Sequence, residues 1–394
     1  SPPLGDLIRM LRVDDLAGSS PKHADSATIR NVRTVTSFSW VDRAGSQPAI
    51  LVPGKPPSWT PQTVPTPLKE DSGSFFRDKN AARYPKHPAE PAVVASLAAD
   101  PSLAADLDLF ACGSTLGNLL RFVRGQDKTF RMLAYKVRNT VFLVRRENSP
   151  TELIHGIRGF GHTFPDANTT WESDVRGSVS HQRLVRYDFG GLDMLVRFEA
   201  DGYMQPPSTT TKPPRNTTAA PAATTDLLTS SLATTSLSTV PPSPAPPSSR
   251  PPTLQITPAG TLTPHATLFD LKTRSIRTRL TRNHLADELP RLWATQIPTL
   301  VLAFHTSGLF RGGDIEIKDV RDDVTSWEEE HAPELATLAA LLHWVRGVVA
   351  AESVARRGVE ICHSVVGRLE VRAMLEDAGE VLSGAVRGRW EGGG

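Results

Sequence analysis

Glu199 and Asp201 stand two residues apart, as do Asp270 and Lys272, in two stretches that alternate apolar and polar side chains. In an extended strand that spacing puts both members of a pair on one face. Over 192–201 the pleat groups Leu192, Met194, Val196 and Phe198 against Asp193, Leu195, Arg197, Glu199 and Asp201. Over 267–272 it groups Thr267, Phe269 and Leu271 against Leu268, Asp270 and Lys272. If the two segments lie side by side, three carboxylates and a lysine converge. Carboxylates so crowded repel one another unless a hard divalent cation, Mg²⁺ or Mn²⁺, sits between their oxygens. A nearby lysine orients or deprotonates an attacking water and offsets charge on a phosphorane-like transition state, and two metal ions clamp the attacking and leaving oxygens. Such a constellation suggests metal-dependent phosphodiester hydrolysis, with Glu199, Asp201 and Asp270 expected on the metal and Asp201, Asp270 and Lys272 as the expected catalytic groups.

The elements around these residues read as a mixed sheet flanked by helices, an α/β or α+β domain. Residues 130–137 and 140–146 form a hairpin across Arg138-Asn139, and 182–189 pairs with 192–199 across Gly190-Gly191. Strands are expected at 266–273, 299–304 and 315–320, with helices near 290–297, 324–331 and 333–357. In the last helix Leu335, Leu338, Leu342, Val345 and Val349 recur at helical spacing and mark a core stripe. Residues 1–110 are Pro-rich and read as an extended arm laid over the core, with a short strand near 32–41 and a helix near 91–109. The core then occupies 111–394. It is interrupted at 205–252, where 31 of 48 residues are Thr, Ser or Pro, too few apolar groups to offset the entropy of ordering the backbone. That stretch is expected to be a disordered loop. Because each doubling of loop length costs only about 0.6 kcal/mol, the strands on either side can still pair.

Phe198-Glu199-Ala200-Asp201 followed by Phe269-Asp270-Leu271-Lys272-Thr273 resembles the split motif of PD-(D/E)XK nucleases, in the Glu-x-Asp and Glu-Leu-Lys-Thr form of the decapping exoribonuclease (DXO) family. Leu292-Trp293-Ala294-Thr295-Gln296 before the strand at 299–304 is similar to that family's Trp-and-Gln helix. The resemblance runs from about residue 130 to 344. It implies a PD-(D/E)XK nuclease-like fold, RNA as the partner, and hydrolysis at its 5′ end. It also implies that Gln296 positions water or a phosphate and that the Leu271 carbonyl is a further metal ligand. The sequence departs from the pattern at Gly161-His162-Thr163-Phe164-Pro165-Asp166, where Pro165 stands at the position of a metal-binding glutamate. Asp166 is one residue on, about 100° away on a helix. Asp270 is one methylene shorter than the glutamate usual in the family. An alternative is therefore a non-catalytic descendant that keeps the groove as a nucleic-acid-binding or scaffolding module.

Arg158-Gly159-Phe160-Gly161-His162, Phe189-Gly190-Gly191 and Phe269-Asp270-Leu271-Lys272-Thr273-Arg274 also resemble a fungal family often labelled geranylgeranyl pyrophosphate synthetase. Prenyl transfer needs aspartate-rich motifs on facing helices. Asp14-Asp15 and Asp322-Asp323 each lack the third acid, and the strand content is wrong for an all-helical synthase.

With 44 basic and 42 acidic side chains the formal charge is +2, so a polyanion must be held by a local groove. Arg121, Arg124, Lys128, Arg131, Arg138, Arg145 and Arg146 either line such a groove or form a solvated face. Cys112 and Cys362, 250 residues apart, exclude a disulfide scaffold and a cysteine-rich zinc site. His155, His162 and His181 lack the i, i+4 helical spacing of a zinc enzyme. No apolar run approaches the roughly 20 residues of a membrane helix, and Ser1-Pro2-Pro3-Leu4-Gly5 lacks a signal-peptide layout. The expectation is an intracellular protein, nuclear or cytoplasmic, with no membrane partner.

Overall fold

The alternating stretches form strands, and the turns between them close where the sequence supplies the residue the backbone needs. The computed structural model describes residues 2–42, 47–205, 253–353 and 358–392. The expected disordered insertion lies, but for Gln205, outside the described residues. Phe189 faces Leu192 across Gly190-Gly191, whose φ angles are +62° and +77°. Gly190 is required twice over, because a Cβ there would lie 2.6 Å from the Cβ of Ala339. The second hairpin pairs Val137 with Thr140 and turns through Arg138 at φ +54°.

Six elements position the candidate site: the helix α1 (Gly113–Val123), the strands β1 (Leu192–Glu199), β2 (Gly202–Tyr203) and β3 (Leu268–Ser275), the helix α2 (His284–Thr295), and the strand β4 (Thr299–His305). An eleven-stranded mixed sheet holds β1 between Leu109–Cys112, parallel to it, and Ser178–Phe189, antiparallel. A six-stranded sheet runs Thr169–Thr170, Ser58–Trp59, β2, β3, β4 and Ile315–Asp319. Sheets of this extent are foreign to an all-helical prenyl synthase.

The segments carrying the acids, expected as neighbours, lie in different sheets. The chain leaves the large sheet after Glu199, and β2 enters the small one, with Gly202 opposite Phe269 and Tyr203 opposite Leu268. The approach is close enough that a Cβ on Gly202 would sit 2.3 Å from the Phe269 ring. The period-two pattern says which face a residue takes and not which sheet its strand joins, so this switch was invisible in the alternation.

The stretch expected as an arm contributes strands to the large sheet. Arg30–Val41 pairs with Ser178–Phe189 and Ala49–Gly54, with Phe38 and Trp40 wholly buried, and Leu109–Cys112 crosses the expected boundary. Their apolar, β-favouring side chains prevail over the proline-rich run that follows. The helix expected at 91–109 is Glu90–Ala99. α2 starts six residues before the expected 290, where the Asn283 side chain accepts from the Ala286 N–H at 3.1 Å, and Pro290 is accommodated inside it.

Helices cover both faces of the large sheet. On one, α1, α2 and Ala332–Glu352 bury Leu119, Trp293, Leu338 and Leu342 against Met132, Met194 and Val196. On the other, Glu90–Ala99 and Gly384–Gly392 pack against Phe142, Leu184 and Leu195. Leu195 is thus buried on the face expected to be polar. A strand covered on both sides carries apolar residues on both. The expected stripe Leu335, Leu338, Leu342, Val345 and Val349 is buried throughout. Its helix is long and apolar enough to cross a membrane by length and composition, and packs here within the core.

Candidate active site

At the junction of the two sheets the chain places Glu199 at the end of β1 and Asp201 just before β2, facing the middle of β3. Asp201 is tied there by its Oδ2, which accepts a 2.7 Å hydrogen bond from the Leu271 N–H. Asp270 is 1% exposed, and its Oδ1 accepts from Lys272 Nζ at 2.7 Å. The same ammonium donates to the Leu271 carbonyl at 2.9 Å and lies 4.0 Å from Asp201 Oδ2. Asp201, Asp270 and Lys272 are therefore brought together, although their long strands are not neighbours.

Glu199 completes the acid group from the end of β1, with its side chain reaching solvent. The protein packed around it pushes its carboxyl above the ordinary glutamate value, and Asp201 adds to the rise while Lys79 and Arg197 oppose it. Lys79 also draws down Asp166, whose carboxyl is raised by burial and then by Asp71. Asp166 thus shares a counter-charge with Glu199, but its acidic neighbour is Asp71. Asp71 caps the short helix Thr163–Asn168, accepting from the His162 and Thr163 N–H groups at 3.0 and 2.9 Å.

Gln296 does not join the group. It closes α2 in the left-handed conformation at φ +56°, and its Nε2 donates to the Trp293 carbonyl at 2.7 Å. Its own carbonyl accepts from His265 Nε2 at 2.7 Å. The Leu271 carbonyl, expected as a metal ligand, faces Lys272 instead.

The residue missed in the sequence is Arg291. From α2 its guanidinium forms an ion pair with Asp270 Oδ2, and its Nε lies 3.5 Å from Glu288 Oε2. Glu288 Oε1 in turn accepts from Arg274 of β3 at 2.8 Å. Burial pulls the Arg291 guanidinium below its ordinary value, and Asp201 and then Glu199 pull it back up. All three site carboxylates therefore bear on this one cation. Glu288 and Arg291 share a face at i, i+3 once the helix is begun at Asn283. Starting it at Pro290 hid the pair.

By chemistry alone the donor set, three hard carboxylates, suits Mg²⁺ or Mn²⁺. Its arrangement is that of acids gathered around organic cations. Among the described residues no group of three or more His, Cys, Asp or Glu side chains is spaced to hold a metal ion. The outer oxygen of Asp270 faces Arg291 and one oxygen of Asp201 faces the Leu271 amide.

Of the basic residues, Arg131 and Arg146 pair with buried Glu360, and Arg124 lies over Trp327. Arg121 donates to Asn118 Oδ1 at 2.7 Å from the face of α1. Repulsion from Arg121 is the main cause lowering the Lys128 ammonium, and Arg145 lowers both. Arg145 is in turn paired with Glu147, whose carboxylate acts on Lys128 in the opposite sense and leaves Arg121 and Lys128 as the repelling pair.

Two sheets meeting at an acid-and-lysine junction, with helices on both outer faces of the larger, make a mixed α/β fold similar to that of solved Rai1 structures. Rai1 from S. pombe superposes with a TM-score of 0.53 at 10% identity, over 93% of this chain and 99% of that one. Scheffersomyces stipitis Rai1, solved with (3′-NADP)⁺ and a calcium ion, gives 0.55 at 10% identity with all of both chains covered. Candida albicans Rai1, solved with pU5 and Mn²⁺, gives 0.55 at 9% identity over 93% of this chain and 96% of that one. Likeness at such identities shows the fold. The chain itself belongs to the DUF8563 family, a domain of unknown function, whose model matches residues 20–365. No curated protein matches the sequence.

Proposed function

We propose that this protein hydrolyses phosphodiester bonds in RNA with Mg²⁺ or Mn²⁺, at or near the 5′ end. The observation that carries the reading is the convergence of Asp201, Asp270 and Lys272, with Glu199 beside them, at the sheet junction of a Rai1-type fold. The RNA and manganese bound by the C. albicans relative are consistent with it. In this reading Glu199, Asp201 and Asp270 would hold the cation once Asp270 is released from its protein partner, and the cation would supply Lewis acidity to the phosphoryl oxygens. Lys272 orients the nucleophilic water and offsets charge on the phosphate. Gln296 has no part, since its amide closes its own helix. The free, buried Cys112 and Cys362 suit a reducing compartment, and the nucleus or cytoplasm is the proposed location.

A second reading, RNA binding without turnover, is favoured by the Asp270–Arg291 pair and by Pro165 in the helix that would supply another acid. Degradation of 5′-monophosphorylated and capped RNA with Mn²⁺ separates the two. The hydrolase reading expects products from the wild-type chain and a loss of at least about a hundredfold in Asp270→Ala and Lys272→Ala. Wild-type activity no higher than that of the variants, with RNA still retained, would leave the binding reading standing.

A further inference from the structure

Asp270 is almost wholly buried, and a buried carboxylate must be matched by positive charge close by. Lys272 supplies it on Oδ1 and Arg291 on Oδ2. The two cations differ in how they are tied. Lys272 belongs to the same strand as Asp270 and also donates to the Leu271 carbonyl, so it is fixed in the site. Arg291 reaches in from α2 on a long side chain that is 37% exposed, and it has a second acid within reach, Glu288 at 3.5 Å. Glu288 is itself anchored by Arg274. Arg291 thus has two acidic partners, one inside the acid group and one on its own helix. Against Asp270 it also feels Asp201 and Glu199. A guanidinium and a hydrated divalent ion cannot share that oxygen.

We propose that Arg291 is a tethered cation occupying the acid group in the resting protein, and that a divalent cation binds Asp270 only when Arg291 gives up Asp270 and keeps Glu288 alone. This rests on the metal-dependent reading of the same site. It assigns Arg291 a positioning role that sets metal affinity, with no contact to RNA required.

The test is direct metal binding by the full chain, without RNA. Mn²⁺ binding is followed by the loss of the free-ion electron paramagnetic resonance signal and by calorimetry, for wild type, Arg291→Gln, Arg291→Lys and Asp270→Ala. Removing a competing charge beside a carboxylate is expected to tighten Mn²⁺ binding by about tenfold or more in Arg291→Gln, while Asp270→Ala abolishes binding. Arg291→Lys, which keeps the charge, is expected to stay near wild type. In the wild-type chain, Mg²⁺ is expected to shift the Arg291 Nε–H resonance, identified by its absence in Arg291→Lys. That measurement serves if Arg291→Gln does not fold. Equal Mn²⁺ affinity in wild type and Arg291→Gln, or an Nε–H resonance indifferent to bound Mg²⁺, overturns the proposal and leaves the hydrolase reading intact. If neither chain binds Mn²⁺ at millimolar concentration, both fall together.

Discussion

At the scale of single residues, burial decides what an ionisable group contributes. Asp270 and Lys272 were readable as a pair because a spacing of two on a strand fixes a common face. That Asp270 would be buried and held from two sides was not readable, since its second partner comes from another element. His181 makes the same point away from the site. It is 1% exposed, with Nδ1 2.9 Å from Ser39 Oγ. Burial, and then repulsion from Arg183, hold its imidazole well below the ordinary 6.5. In the unfolded chain the ring takes up a proton near 6.5, while in the folded protein it does so only at much lower pH. Below 6.5 the unfolded state therefore binds more protons, and stability falls as the pH drops toward the folded value. The expected slope is about 1.4 kcal/mol per pH unit from this one group. Urea titrations of wild type and His181→Gln across that range check it. Parallel curves for the two proteins would assign the acid sensitivity elsewhere.

At the scale of elements, turns and stripes were legible while switches between sheets were not. Gly190-Gly191 announced a hairpin, and the structure adds why the first glycine matters more. Its missing Cβ makes room for Ala339, and its carbonyl accepts from His343 Nε2 at 2.7 Å. Gly191 also has positive φ, with nothing within 4 Å of a built Cβ. Gly190→Ala is expected to cost about 2–4 kcal/mol, from backbone strain plus overpacking. Gly191→Ala should show the strain alone, about 1–2 kcal/mol. Chemical denaturation of both variants decides; equal losses would mean that the helix yields to the added methyl. α2 shows the opposite limit. Its Leu285, Leu289, Leu292 and Trp293 faced the core as periodicity demands, but Pro290 concealed its start and with it the Glu288–Arg291 pair.

At the scale of the molecule, a formal charge of +2 means that the RNA binding proposed for this chain would rest on local clusters. The structure splits the basic set read from the sequence. Arg131 and Arg146 are consumed by Glu360 inside the fold and Arg145 is paired with Glu147, whereas Arg121 and Lys128 repel one another. Like charges held close are relieved by a polyanion, so Arg121 and Lys128 are the expected phosphate contacts. Each contact to single-stranded RNA contributes about 0.7 to the slope of log affinity against log salt, so Arg121→Gln with Lys128→Gln should lower that slope by about 1.4. Fluorescence anisotropy across a salt series measures it. An unchanged slope would make the cluster a solvated face after all.

The sequence by itself determined the strand faces, the hairpin turns, the core stripe of the long helix and the chemical character of the acid-and-lysine set. Each depends on periods of two or 3.6 residues within one element. Only the tertiary structure decided that β1 and β3 belong to separate sheets, that Arg30–Val41 joins the large sheet, that the Gln296 amide closes its own helix and that Arg291 lies against Asp270. These are distances between elements. They follow from how a strand exits its sheet and how a helix is rotated on its neighbours, and packing of the whole chain fixes both.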